Sequence, residues 1–318
     1  MKKNAYLGID IGGTNIKIAA VEPSGRVLTR GIIETPAGKG PTAAFDRIRR
    51  AVPTLFGDQW RVAAAGVGCA GLVDSRKGRL LTSPNLPAWN QTPLRRIAVK
   101  ALGVQTYVEN DANAAAYGEY KCGAGEGYEN VICITLGTGV GGGIVSGGKL
   151  LKGASDFAGE IGHMSISVEG PLCKCGNRGC LEAYIGKNAL VRSAREKLKF
   201  KKGKVLGNLS ERGKRELTPR MIFQAARQGD RVAKEVLNEA ADYLGSALAS
   251  LVNIFNPEII AIGGGISGAF DLMKPRIEKK VRSRAFDAPA AMVRITKAVL
   301  GNDASTVGAA LIAKESAK

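Results

Sequence analysis

The stretch AYLGIDIGGTNIKIAAVEPSGRVL, residues 5–28, decides the fold, because its pattern returns later in the chain. It combines an apolar strand, a Gly/Thr turn, a second strand and a second turn that contains glycine. Residues 131–151, VICITLGTGVGGGIVSGGKLL, follow the same plan. Apolar runs bounded by Gly, Pro and Ser are typical of β-strands joined by tight turns. A unit that occurs twice indicates a duplicated α/β fold with two strand-turn-strand loops facing each other across a cleft.

The two Gly/Thr turns are candidate phosphate-binding loops. One Gly-Gly pair is ordinary in a hairpin, but two glycine turns in matched settings suit a chain of phosphates held from both sides, since glycine lets backbone N–H groups approach an anion. Asp10 ends the strand before the first turn, and Lys17 follows it as a further donor. The turn residues are Gly12, Gly13 and Thr14, and Gly137, Thr138 and Gly139.

A cysteine-rich segment, EIGHMSISVEGPLCKCGNRGCLE, runs from Glu160 to Glu182 and contains the only histidine of the chain. Three cysteines lie within eight positions, and the histidine stands ten residues before the first of them. Four nitrogen and sulfur ligands are typical of a closed, structural zinc site, which would hold the two glutamates on a rigid frame. Buried apolar cysteines and a disulfide remain alternatives. The candidate ligands are His163, Cys173, Cys175 and Cys180.

Two further segments carry candidate site residues whose roles the local pattern leaves open. In QTYVENDANAAAYGEY, Asp111 lies between a strand and a helix that we expect to begin near Ala112. It could be the helix N-cap, or a general base at the carboxyl end of a strand. In EIIAIGGGISGAF, the glycines at 263–265 could accommodate an adenine or ribose, or could simply form a tight strand-to-helix turn.

Composition limits the class of protein. A chain of 318 residues with 45% hydrophobic residues and 42 glycines is expected to form a soluble α/β protein of two domains. It has no apolar run of membrane-spanning length and no signal-peptide pattern, so we expect a cytoplasmic protein without a membrane partner. The net charge of +18 would favour polyanions. Much of the excess lies at 192–215, which we interpret as a solvated helix face and loop, with docking to an acidic partner as the alternative.

The motifs together resemble the ROK family of sugar kinases, in particular its bacterial glucokinase branch. The resemblance covers essentially the whole chain and rests on segments in the family's order and spacing: GIDIGGTNIK, GLVD, SPNLPAWN, VENDANAAAYGE, ITLGTGVGGGIV, GEIGH, CKCGNRGCLE and NPEIIAIGGGIS. It implies an actin-like (ribonuclease-H-like) ATPase fold with two similar domains and a cleft between them. The expected small domain is 1–110 plus a C-terminal helix at about 303–318, and the large domain is 111–302 with the zinc-binding loop.

The resemblance also implies an activity: ATP-dependent phosphorylation of glucose at its 6-hydroxyl, with Mg²⁺, a structural Zn²⁺ and a homodimeric enzyme. Asp111 would be the catalytic base, Asp10 would orient Mg²⁺ through water, and the two glycine turns would hold the phosphates. Gly264 and Gly265 would lie near the nucleoside. His163 would use one ring nitrogen for zinc and the other for a sugar hydroxyl. The positions that match sugar contacts are Gly71, Asn85, Asn110, Asp111, Glu160, His163 and Glu182.

Alternatives remain for the acceptor sugar, for the phosphoryl donor and for the kinase activity itself. The acceptor could be N-acetylmannosamine, fructose or allose, and the donor could be polyphosphate, because the quoted motifs are shared. The family's transcription regulators carry a DNA-binding domain ahead of the same fold. The first predicted strand begins within six residues of Met1, so we expect no such domain here and no nucleic-acid partner.

Overall fold

The structure is a computed structural model that describes residues 2–201, 203–210 and 215–317. The chain divides into two compact units. The first comprises the residues up to Cys133, Gly143–Gly159 and the residues from Ala298 onward, and the second comprises Ile134–Gly142 and Glu160–Lys297. These limits differ from the sequence-based limits at 110 and 302. The helix after Asn110 belongs to the first unit because it packs extensively on the C-terminal helix.

The first unit contains a five-stranded sheet of order β3-β2-β1-β4-β7. Its strands β1, β2 and β3 form an antiparallel meander, while β1, β4 and β7 are parallel. The bounds are β1 Lys3–Ile11, β2 Asn15–Val21, β3 Val27–Glu34, β4 Trp60–Cys69 and β7 Thr106–Asn110, with a separate hairpin of β5 Leu72–Asp74 and β6 Arg79–Thr82. The sequence pattern of residues 5–34 predicts three strands, and these are present as β1, β2 and β3.

Helices pack on this sheet, and the apolar residues of each strand determine which helices it contacts. Buried side chains of β1 and β4 form one core with Phe45, Ile48 and Leu94, and the indole of Trp89 completes it. A second cluster includes Val307, Leu311 and Tyr117 together with residues of β2. The helices of this unit are α1 Gly40–Phe56, α2 Leu94–Leu102, α3 Asp111–Cys122 and α11 Ala304–Ser316.

The C-terminal helix α11 lies directly on β1 and β4, and this close approach needs glycine. A Cβ atom added at Gly8 or at Gly66 would overlap the carbonyl oxygens of Thr306 and Ala309. The fully buried Glu119 carboxylate of α3 accepts hydrogen bonds from the backbone N–H groups of Val299 and Leu300, at 3.0 and 2.8 Å. The segment that leads into α11 is thereby fixed to α3.

A second sheet repeats the arrangement of the first, with the order β10-β9-β8-β11-β12. Strand β8 takes the place of β1, β9 that of β2, and β11 that of β4, so the internal repeat predicted from the sequence is present. The bounds are β8 Val131–Leu136, β9 Val140–Ser146, β10 Lys149–Leu150, β11 Ile259–Gly263 and β12 Arg294–Lys297.

The helices of the second unit agree with the sequence pattern, except that one predicted helix is divided in two and two short helices were not predicted. The sequence pattern of residues 181–198 predicts one helix, but the structure divides it at Gly186, whose extended backbone separates α4 from α5. The threonine before Pro219 predicts an N-cap, and Thr218 does cap α7 by accepting a hydrogen bond from the Met221 N–H. The short helices α6 and α10 were not predicted. The bounds are α4 Glu182–Ile185, α5 Lys187–Phe200, α6 Lys204–Leu209, α7 Pro219–Arg227, α8 Arg231–Phe255, α9 Phe270–Arg282 and α10 Asp287–Met292.

Within the described ranges, none of these helices combines the length and the apolar character that crossing a bilayer requires.

We expect Gly66→Ala to destabilise the first unit by about 1–3 kcal/mol, because the added methyl group has only backbone to displace. Thermal unfolding should then begin about 2–10 °C lower. Gly38→Ala is the matched control, since a Cβ there meets no heavy atom within 4 Å. Equal melting temperatures for the two variants would contradict the proposed packing of α11.

Candidate functional site

The carboxyl ends of three parallel strands bring the first group of predicted site residues together. In the register of the sheet, Asp10 of β1 lies opposite Gly68 of β4, and Gly68 lies opposite Glu109 of β7. Burial raises the pKa of the neighbouring Cys69 thiol, and the negative charges of Asp111 and Asp10 raise it further. Both carboxylates therefore lie around the end of β4, at the edge where α/β folds place reactive groups.

The first glycine turn joins β1 to β2 and is fixed by its neighbours. The Gly12 N–H donates to the Asn15 carbonyl at 3.1 Å, and the Thr35 hydroxyl donates to the Gly12 carbonyl at 2.8 Å. A Cβ added at Gly13 would lie 3.0 Å from the Cβ of Asn85, so this predicted sugar residue packs against the turn. The bracing role of Thr35 was not predicted, since its local sequence contains no phosphate-binding pattern.

Lys17 is directed at Asp10, because its Nζ atom lies 3.4 Å from Asp10 Oδ2. Thr14 is exposed at the turn. The predicted residues of this loop are thus adjacent to one another.

The N-cap of α3 is Asn110, and the interpretation of Asp111 as the N-cap was wrong. Asn110 Oδ1 accepts hydrogen bonds from the N–H groups of Ala112 and Asn113, at 2.8 and 3.0 Å. Its Nδ2 atom donates to the Gly71 carbonyl at 3.0 Å, which joins two of the predicted sugar residues. Asp111 is instead the first residue of the helix. A carboxylate there is favoured by the helix dipole.

The second glycine turn joins β8 to β9 in the other unit and is held by Glu182. The Val140 N–H donates to Glu182 Oε2 at 2.9 Å, and the carboxylate occupies the space that a side chain at Gly139 would need. The Gly137 carbonyl accepts a hydrogen bond from the Lys187 N–H at 3.0 Å, at the start of α5. This use of Glu182 was missed, because its sequence position suggested only a sugar contact.

The four predicted metal ligands form one cluster in the second unit. Their ligand atoms all lie within 4.8 Å of one another. Cys173 Sγ is 3.8 Å from His163 Nδ1, and the sulfur atoms of Cys175 and Cys180 are 3.7 Å apart. All six cysteines lie in the described part of the chain and are free, so no disulfide joins them there. The tight loop depends on two glycines with positive φ, Gly176 and Gly179.

The candidate sugar carboxylates of this unit share an electrostatic environment with His163. Burial of its carboxyl group raises the pKa of Glu160, the negative charge of Glu182 raises it further, and His163 opposes the shift. Glu182 Oε1 also lies 3.9 Å from Cys173 Sγ. Glu160, His163 and Glu182 are therefore brought together beside the cysteine cluster, as the sequence predicts.

A cavity of about 980 Å³ lies beside the second glycine turn, within the second unit. Its lining combines glycine backbone, an aromatic ring and basic side chains, a composition suited to a flat base and an anionic tail. Arg227 is fixed there by hydrogen bonds to the Gly268 carbonyl and to Asp271, at 2.7 and 3.0 Å. Residues of the lining include Gly137, Thr138, Lys187, Phe223, Arg227 and Gly265.

Of the glycines predicted near a nucleoside, Gly265 lines this cavity and Gly264 forms the turn. Gly264 has a φ of 83°, and a Cβ there would overlap the Leu136 backbone. The tight-turn interpretation therefore applies to Gly264, and a nucleoside at Gly265 stays a prediction. Phe223 and Lys187 were missed, because Phe223 fits the apolar face of an ordinary amphipathic helix and Lys187 is one of many lysines.

The chain is similar to known proteins over nearly its whole length. The sequence matches the ROK family over residues 6–316. It is 36% identical to the glucokinase of Thermotoga maritima, over 99% of this chain and 99% of that protein. It is 39% identical to the glucokinase of Streptomyces coelicolor, over 97% of each.

A solved structure shares the fold over nearly its whole length. The crystal structure of a ROK family glucokinase from Streptomyces griseus, in complex with glucose and AMPPNP, aligns with a TM-score of 0.85 and 38% sequence identity. The alignment covers 98% of this chain and 99% of that one.

Proposed function

The chain belongs to the ROK family and has its actin-like ATPase fold, and on this premise we propose that it is a glucokinase that transfers the γ-phosphoryl group of ATP to the 6-hydroxyl of glucose. The observation that carries the proposal is the near-complete match to a glucokinase that binds glucose and AMPPNP, an ATP analogue. The geometry of each unit supports it, because one contains a carboxylate at the end of a strand and the other a cavity suited to a nucleotide.

The residues of the first unit would carry the chemistry. Phosphoryl transfer passes through a loose transition state, so catalysis depends mainly on alignment and on neutralising charge. Asp111, at the carboxyl end of β7, would accept the proton of the 6-hydroxyl late in the reaction. Asn85, Asn110 and Gly71 would bind the sugar, and the backbone of the first glycine turn would bind phosphate oxygens.

Asp10 is the candidate residue for Mg²⁺, which would neutralise charge on the phosphates when bound. Its carboxylate is a hard oxygen donor at the base of the glycine turn, and carboxylates suit this ion. Lys17 lies 3.4 Å away and would neutralise part of the remaining charge on the phosphates.

The residues of the second unit would bind the rest of the substrates. The turn at Gly137–Gly139, with Lys187 beside it, would hold phosphates, and the cavity at Phe223 and Gly265 would hold the nucleoside. Glu160 would accept a hydrogen bond from a sugar hydroxyl, and His163 would donate one to a sugar hydroxyl. Glu182 would also bind a sugar hydroxyl, while its Oε2 atom keeps its hydrogen bond from the Val140 N–H at the glycine turn.

The four-ligand cluster fits a structural zinc ion. Tetrahedral ligands at about 2.3 Å from zinc are about 3.8 Å from each other. The separation of 3.7 Å between the sulfur atoms of Cys175 and Cys180 matches that edge. When bound, the ion would hold the loop that contains His163 and precedes Glu182. From the family resemblance alone we also propose a homodimer in the cytoplasm.

The direct test measures which sugar and which donor the purified protein uses. We expect the highest kcat/KM for glucose with Mg-ATP, and ³¹P NMR of the product should show glucose 6-phosphate. The panel should include N-acetylmannosamine, fructose and allose as acceptors and polyphosphate as donor. A higher kcat/KM for any of these would replace glucose or ATP in the proposal.

Asp111→Asn should lower kcat by about 10²- to 10⁴-fold, because the general base is lost. Glucose binding measured by calorimetry should change little, since the amide keeps the shape of the side chain and one acceptor oxygen. The exposed Asp58 provides the control variant Asp58→Asn, for which we expect parental kinetics. Turnover of Asp111→Asn at a near-parental rate would remove Asp111 from the role of base.

Cys175→Ser should release most of the bound zinc and raise the KM for glucose, because the loop beside Glu182 loses its fixed point. Cys122→Ser, outside the cluster, should retain its metal and parental kinetics. Elemental analysis gives the zinc content, and a coupled assay gives the KM. Parental metal content and glucose KM in Cys175→Ser would refute the zinc assignment.

A further inference from the structure

Glu109 is a buried carboxylate immediately before the candidate sugar and catalytic residues. It is only 2% exposed. Its Oε1 atom accepts hydrogen bonds from the Asn110 N–H at 3.0 Å and from Asn113 Nδ2 at 3.2 Å. One carboxylate therefore binds both the end of β7 and the first turn of α3. A buried carboxylate needs a counter-charge, because desolvation of an unpaired ion is costly.

Lys152 provides that charge from a distant part of the chain. Its Nζ atom lies 2.6 Å from Glu109 Oε2 and donates to the Ser75 hydroxyl at 2.8 Å. The lysine side chain is 34% exposed, whereas Glu109 is almost fully enclosed. The pair thus joins the β7–α3 junction to the loop at 151–159.

The loop that carries Lys152 is itself fixed. Asp156 Oδ2 accepts hydrogen bonds from the Ser75 hydroxyl at 3.0 Å and from the Arg76 N–H at 3.1 Å. Asp156 is 3% exposed and has a φ of 70°, a conformation that few non-glycine residues adopt. These contacts hold the loop against the start of the β5–β6 connection, so the ammonium group of Lys152 has a defined position.

We propose that the Lys152–Glu109 ion pair positions Asp111 for proton transfer by fixing the first turn of α3. This inference rests on the proposed function, in which Asp111 is the base. Asp111 is the first residue of the helix, and Asn110 is its cap. Glu109 binds one residue on each side of Asp111, the preceding Asn110 through its N–H and Asn113, two residues further on, through its side-chain amide. Lys152 and Glu109 are positioning residues, since they act through Asp111.

Misplacement of a reacting group by about 1 Å can cost about 10²-fold in rate. Loss of the pair should therefore affect kcat more than the binding of either substrate.

The test compares Lys152→Met with Lys121→Met. Lys121 lies near the other end of α3, is 31% exposed, and pairs with Glu315 at 2.9 Å, so it controls for the loss of any comparable ion pair. We expect Lys152→Met to lower kcat by about 10- to 100-fold with KM values for glucose and ATP within about threefold. Amide hydrogen exchange of the peptide at 107–116 should accelerate. Lys121→Met should show neither effect, and Lys152→Arg, which keeps the cation, should recover part of the rate.

The double variant Glu109→Gln/Lys152→Met distinguishes the loss of positioning from the cost of leaving a buried charge unpaired. It leaves no unpaired buried charge, so its melting temperature should exceed that of Lys152→Met, while its kcat should stay at least about tenfold low. A parental kcat in the double variant, a kcat within about twofold of parental in Lys152→Met, or unchanged exchange at 107–116 would each overturn the inference.

Failure of the inference can be told apart from failure of the proposed function. A low rate in Asp111→Asn together with a parental rate in Lys152→Met overturns the inference alone. A parental rate in Asp111→Asn removes the proposed base and the inference with it. If the parental protein phosphorylates no sugar, the proposed function fails, and the exchange measurement still decides whether the pair orders α3.

Discussion

The hydrogen-bonded register of β1, β4 and β7 is the constraint on which the candidate catalytic group depends. It places Asp10, Gly68 and Glu109 side by side, so the residues that follow each strand emerge at one edge of the sheet. A shift of β7 by one residue would turn Glu109 to the opposite face and would remove the carboxylate that binds the start of α3. The close packing of α11 on β1 and β4 holds this register from one side of the sheet.

The sequence predicted the features that depend on local pattern. Alternating apolar strands, glycine turns and capped helices have short-range causes, and the strand-turn-strand repeat and the cap at Thr218 are present as expected. The cysteine cluster was also predictable, because glycines beside closely spaced ligands allow the chain to turn tightly around one centre. The family resemblance supplied the roles that pattern alone left open, such as that of Asp111.

The unpredicted features depend on tertiary contacts. Asn110 rather than Asp111 caps α3, because the Gly71 carbonyl and the position of the strand end favour the amide at that point. Helix α5 begins after Gly186 because the chain there packs on Glu182 and on the backbone of Thr138. Glu182 links the cysteine cluster to the second glycine turn, an arrangement that requires residues 42 positions apart to meet. No local signal distinguishes such a glutamate from one that binds only a ligand.

The position of α11 determines the order in which the protein can be completed during translation. Strand β1 is synthesised before the second unit, but the helix that covers it, Ala304–Ser316, is synthesised after that entire unit. Until then the apolar side of β1 and β4 that receives α11 stays uncovered. The second unit is contiguous from Glu160 to Lys297 apart from one short segment, and that segment precedes it, so it can fold first. The apolar side of this sheet is therefore exposed to aggregation until α11 has been synthesised.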